Sequence, residues 1–240
     1  MKLKVSIASV LLFSFCAGAA LAQNGTKRNG RPRETPATPS PASQTTEKTA
    51  GTARYTWEFT QREFVINHIL IEHDSSGRGQ ITFEHRSEEI PIVEPIELSS
   101  AALARINALW SNLQFLDSDE DYQSSKNFAH LGTYRLGIED GKRKRTAEFN
   151  WSSNKNAWNL AAEYRRAADQ AILVFDLRLA RDLQPLNVPS YLNEMESLLG
   201  RNALSDAKQL VPLLSELKID EHIPLIARNQ ADRILKKIAK

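Results

Sequence analysis

The chain has 240 residues, with 31 Lys and Arg against 29 Asp and Glu, 41% apolar residues and one cysteine, the profile of a globular protein and not of a fibrous or disulfide-dense one. Eight of the bases and only two of the acids precede Tyr55, which leaves 23 bases against 27 acids in residues 55–240. A folded part of that sign has no overall attraction for phosphate backbones, so nucleic acid is not an expected partner.

Lys2 and Lys4 make a positive start, residues 5–20 form an almost unbroken apolar run, and Ala20-Leu21-Ala22 places small residues where a signal peptidase reads them. Residues 1–22 are therefore expected to be a signal peptide, cleaved after Ala22, that sends the protein to the periplasm or beyond the cell. The run is shorter than the ~20 residues a bilayer requires, and no later stretch is apolar enough to span one. Cys16 follows Phe15 inside the run, which does not fit an acylated lipoprotein cysteine. Without Cys16 the exported chain has no thiol, and this excludes cysteine proteases, thiol redox enzymes, iron–sulfur clusters and cysteine-ligated zinc. Residues 23–53 are rich in Pro, Ser and Thr and lack large apolar side chains, so they should form a disordered linker. Its bases Lys27, Arg28, Arg31 and Arg33 read as a solvated tether, being few for lipid recognition.

From Tyr55 apolar residues recur with period two. Trp57 and Phe59, then Phe64, Ile66 and Ile69 to Ile71, predict a first strand or bent pair; Ser75 to Gly79 is a turn, and Ile81 and Phe83 alternate with Thr82 and Glu84 in the next strand. Residues 90–98 fit a short edge strand, because Pro91 and Pro95 would disrupt a central one. Ser99 or Ser100 caps an amphipathic helix carrying Ala102, Leu103, Ile106, Leu109, Trp110, Leu113 and Leu116. Leu131 to Glu139 and Lys142 to Trp151 predict a hairpin turning at Asp140-Gly141, with Tyr134 opposite Ala147 and Gly132 opposite Phe149.

Beyond Asn154 the pattern is helical. A long stripe from Leu160 to Leu183 ends before Pro185; Pro189 to Leu199 stops at Gly200; Ser205 caps a helix through Leu217, and Asp220 caps another through Ile238. The layout expected is a sheet-and-helix part over 54–154 and a helical region over 155–240 that covers the sheet or makes a second lobe. The fold class is α+β: a small antiparallel sheet with one packed amphipathic helix, then an all-helical C-terminal part.

The last helix pair carries Leu210-Val211-Pro212-Leu213-Leu214, Asp220-Glu221, Ile223, Ile226-Ala227-Arg228 and Ala231. Over residues 205–238 this resembles a single HEAT-type helical unit, which implies a packing unit or a protein-contact surface. The exported chain as a whole resembles uncharacterised secreted bacterial proteins, a likeness that implies no activity.

Four candidate chemistries remain. His73, Asp74, Glu84 and His85 could meet across a hairpin as metal ligands, although flat edges seldom host sites. Asp117, Asp119, Glu120 and Asp121 match the first half of a calcium loop, but Tyr122 and Phe128 stand where the glycine and bidentate glutamate belong. A looser calcium site through Asp117, Asp119 and Asp121 stays open beside a solvated acidic loop. The run Lys142, Arg143, Lys144 and Arg145 could grip an acidic partner, contact the 117–121 loop, or guard an edge with charge. Sugars could stack on Trp57, Trp110, Trp151 or Trp158, of which Trp158 is expected to be the most accessible.

No nucleophile elbow, Ser-x-x-Lys set or phosphate-cradling glycine loop is present. The sequence therefore favours a non-enzymatic interaction module with a protein partner of the cell envelope and no cofactor. The alternatives are an envelope hydrolase using carboxylates, with or without a divalent cation, and a carbohydrate-binding module.

Overall fold

The structure, a computed structural model, describes residues 53–239. The expected signal peptide with Cys16, and the linker with its basic cluster, lie outside the described residues. The alternation of apolar and polar residues builds β1 (Arg54–Thr60), β2 (Ile66–Asp74), β3 (Arg78–His85) and β4 (Ile92–Glu97) as an antiparallel meander. After α1 (Ser100–Leu113) the chain returns to the free edge of β1 with β5 (Thr133–Asp140) and β6 (Arg143–Phe149). The order across the sheet is β4-β3-β2-β1-β5-β6, which puts the Trp57 and Phe59 strand in the interior and the Pro95 strand at an edge.

One face of this sheet is dry. Trp57, Phe59, Ile69, Ile71, Ile81, Phe83, Leu136 and Phe149 are all essentially inaccessible and face α1 and the start of α2 (Lys155–Leu183). Ser99 caps α1 by accepting the Ala102 N–H, and Asn154 caps α2 by accepting from Asn156 and Ala157. The first half of α2, through Ile172, belongs to the sheet core. From Leu173 onward it joins a second core with α3 (Val188–Gly200), α4 (Val211–Ile219) and α5 (Leu225–Ile238). One helix thus ties the α and β parts together, its first half covering the sheet beside α1. Among the described residues no helix is long and apolar enough to cross a membrane.

Four local expectations are corrected. Helix α1 ends at Leu113, before Leu116, because Gln114 turns left-handed at φ 45° and closes the helix on the Ser111 carbonyl. The β5–β6 hairpin pairs Tyr134 with Phe149 and Leu136 with Ala147, so its loop is Gly141-Lys142. Positive φ falls on Gly141 alone of the two, the pattern of a type II′ turn. Asp206, not Ser205, accepts the N–H that starts the fourth helical segment. Asp220 does not cap α5: its carboxylate accepts the His222 N–H and an Arg181 hydrogen bond, and α5 begins five residues later with Pro224 at its N-cap.

Candidate functional site

Because α1 and α2 pack on one face, the other face of the sheet has no cover among the described residues. Alternation fixes what it presents: Thr56, Glu58 and Thr60 from β1, His68, Leu70 and Glu72 from β2, Thr82 and Glu84 from β3, Arg135 and Glu139 from β5, and Thr146 and Glu148 from β6. Five of these form a charged ladder across five strands. Each ring nitrogen of His68 lies 3.0 Å from a carboxylate oxygen, Nδ1 from Glu84 and Nε2 from Glu58. Arg135 donates to Glu58 at 3.2 Å and, through two nitrogens, to Glu148 at 3.0 and 3.2 Å. The Glu148 hydrogen bond, with Glu58 beside it, pushes the Arg135 pKa further up and keeps the guanidinium charged. A depression of about 470 Å³ opens beside the ladder, between Glu58, Arg135 and Glu148 and the loop around Gln61.

This arrangement orders charge without confining it. Hydrolytic carboxylates act across a cleft, one on either side of a scissile bond. Here Glu58 and Glu148 share the same arginine, and the depression is open to solvent. The arrangement is chemically suited to recognising complementary charges.

The basic run divides by strand parity. Arg143 donates to Asp117 at 2.8 Å. Arg145 lies over the Phe115 and Tyr122 rings, 4.6 and 5.2 Å from their centroids, and donates to the carbonyls of Phe115 and Glu120. Lys144 points to the other face, 3.5 Å from Glu139. Two of the four cations therefore hold the 115–122 loop against the sheet, which is the intramolecular contact the sequence left open. Arg145→Lys is expected to destabilise the fold by about 1–2 kcal/mol, since a lysine cannot reproduce the stacked, forked geometry. Arg143→Gln removes only an exposed pair and should cost about 0.5 kcal/mol or less. Urea unfolding of both variants checks the contrast, and equal costs would contradict it.

Two of the three carboxylates considered for calcium have protein partners. Asp117 faces Arg143, Asp121 accepts the Gln123 N–H, and Asp119 is exposed. Among the described residues no three His, Asp or Glu side chains gather where they could hold a metal ion.

The histidine cluster does not form. His73 is opposite Gly79 and His85 is opposite Ile66, at far ends of the β2–β3 hairpin. Glu84 projects to the open face, whereas His73 is 2% exposed on the dry face. Its Nδ1 donates to the Asp74 carbonyl at 2.7 Å, which leaves Nε2 as the acceptor for the Tyr164 hydroxyl, also at 2.7 Å; Trp110 Nε1 donates to that same hydroxyl at 3.0 Å.

Trp57 and Trp110 are core residues, and the half-buried Trp151 and Trp158 rings meet at 4.7 Å with planes 52° apart, so they form no flat sugar platform. In the sequence Glu58 and Arg135 are ordinary polar positions and His68 is one of five histidines, five residues from His73 on a strand, until the strand order places the three side by side. Comparison with protein-family models and with curated proteins finds no match to this chain.

Proposed function

We propose that this chain is an exported, non-enzymatic interaction module that presents its uncovered sheet face to a protein of the cell envelope. The observation that carries this reading is that, among the described residues, the six-stranded sheet is covered on one side only. Half of its surface is dry under α1 and α2, and half is a broad polar face with an ordered ladder of charge. Charge complementarity of this kind sets specificity and association rate. Export rests on the signal-like residues 1–22, and the likeness of residues 205–238 to one HEAT unit is consistent with a role in contact. The hydrolase alternative has less support, because the ladder's carboxylates are already engaged with Arg135 and His68.

The chain downstream of Cys16 has no cysteine, so a single one can carry a photo-crosslinker. Thr146→Cys probes the open face and Glu221→Cys probes the α4–α5 turn. In producing cells a discrete adduct from position 146, absent from position 221 and weakened by Arg135→Glu, is expected. Equal labelling at both positions, or none, would overturn the assignment of the face. Recovery of a chain whose mass does not begin at Gln23 would overturn the export component separately.

A further inference from the structure

On the opposite side of the molecule from the ladder, where α2 meets the loop after α3, a hollow of about 260 Å³ is lined by Tyr134, Trp158, Arg165, Arg166, Arg201 and Asn202. Its existence follows from sequence: Ala161, Ala162 and Ala203 stand where larger side chains would fill the gap. The two aromatic walls are set at 87° with centroids 6.1 Å apart, and Trp158 is only half buried.

Three arginines line it in a folded part whose net charge is about −4, as the 23 bases and 27 acids of residues 55–240 require. Among the described residues, each uses a single nitrogen on the protein: Arg165 Nε on Asp169 at 2.7 Å, Arg166 on Glu163, and Arg201 Nε weakly on the Ser197 carbonyl at 3.4 Å. Glu163 is shared with Arg105, so two carboxylates face four arginines. A guanidinium carries five N–H donors, and most of these have no acceptor among the described residues.

The site is also held in place before any ligand arrives. Arg165 is stacked over Phe59 at 4.7 Å. The loop over the hollow is pinned at three points: Ala203 N–H on the Leu198 carbonyl, the Ser205 carbonyl on Arg105 at 2.7 Å, and Asp206 N–H on Gln170 at 3.0 Å. Preorganised donors of this kind reduce the ordering cost of binding.

We infer that this hollow binds a monosaccharide-sized sugar acid, its ring against Trp158 and its carboxylate on Arg201 and Arg166. The volume lies just below the range typical of drug-sized ligand pockets, which selects a single ring. The cations select an anion, with a planar carboxylate matching the guanidinium fork. The indole favours stacking against sugar C–H groups, and the Asn202 amide and remaining N–H groups suit hydroxyls. This inference does not depend on the sheet-face reading.

The test is calorimetric titration of the purified protein, with tryptophan fluorescence as a second readout, using glucuronate, glucose, benzoate and inorganic phosphate as probes. Saturable binding of glucuronate is expected, weaker at high salt, with no binding of glucose and weaker binding of benzoate and phosphate. Arg201 is exposed, so Arg201→Gln should leave the unfolding temperature unchanged while weakening glucuronate binding about tenfold or more. Trp158→Leu should weaken it as well. No saturable binding, binding untouched by Arg201→Gln, or a preference for benzoate or phosphate would each overturn the inference.

Discussion

Tyr164→Phe is expected to lower stability by about 3 kcal/mol, because removing one hydroxyl leaves two buried polar groups without partners, at roughly 1–3 kcal/mol each. Tyr164 is fully buried on the α2 face that packs against Trp57, Trp110 and His73, and burial pushes its phenol pKa far up, so it remains a neutral donor. The hydroxyl takes the Trp110 N–H and gives its own proton to His73 Nε2. These three residues come from β2, α1 and α2, so the network fixes both covering helices to the sheet. Thermal unfolding should show the loss as a fall of roughly 6–12 °C for a fold of this size. In a Trp110→Phe background the same change should cost less, since one orphaned group is already gone. A cost below about 0.5 kcal/mol would mean the hydroxyl is not the hub.

The same network carries a pH signature. Burial drives the His73 pKa below the ordinary 6.5, with the Asp74 carbonyl and carboxylate only partly opposing it. In the unfolded chain this imidazole takes a proton as pH falls through 6.5, while in the fold it stays neutral. The unfolded state then binds more protons, so the contribution is complete above pH 6.5 and is lost progressively below it. His73→Gln, which cannot titrate, should flatten this part of the stability profile. An unchanged slope between about pH 6.5 and 5 would assign the acid sensitivity to other groups.

The strands and the long helices were legible because each buries one face, and burial imposes a period. Trp57, Phe59, Ile81 and Phe83 could be assigned to the dry side from alternation alone, and Pro91 and Pro95 marked the edge. Register was less legible for the same reason. Sliding the β5–β6 hairpin by two residues leaves Tyr134, Leu136, Ala147 and Phe149 on the same face, so the pattern could not separate an Asp140-Gly141 turn from the observed Gly141-Lys142 turn. Asp220 misled for a different reason, since a carboxylate that accepts backbone N–H groups looks the same in sequence whether it starts a helix or closes a turn.

Function was less legible still, because both candidate surfaces are assembled from distant segments. In the ladder His68 and Glu84 lie 16 positions apart, and the Arg135 bond to Glu58 spans 77. The hollow at Trp158 joins α2 to a loop about 40 residues further on, and only the Ala161-Ala162 pair followed by Arg165-Arg166 hinted at a small-residue gap rimmed with cations. Strand order and helix docking decide which polar residues become neighbours, and neither is encoded in local periodicity.

Gly79→Ala is the second large effect expected, about 3 kcal/mol, because the added Cβ would collide with backbone atoms that no side-chain rotation can relieve. A Cβ at this position would lie 1.8 Å from the Glu72 carbonyl oxygen and 2.6 Å from the His73 Cα, both backbone atoms of the paired strand β2. Neither can rotate aside, so β3 would have to separate from β2 where Gly79 opposes His73. That displacement would reach the Tyr164 network as well, so the variant should also lose protection of the Trp110 indole N–H in hydrogen exchange. Gly200 supplies the contrast. It ends α3, a Cβ there would meet no atom within 4 Å, and its φ is not left-handed, so Gly200→Ala should be neutral or stabilising by about 0.4–1 kcal/mol. If both variants unfold at the same urea concentration, the close approach of β2 and β3 is not what requires glycine at position 79.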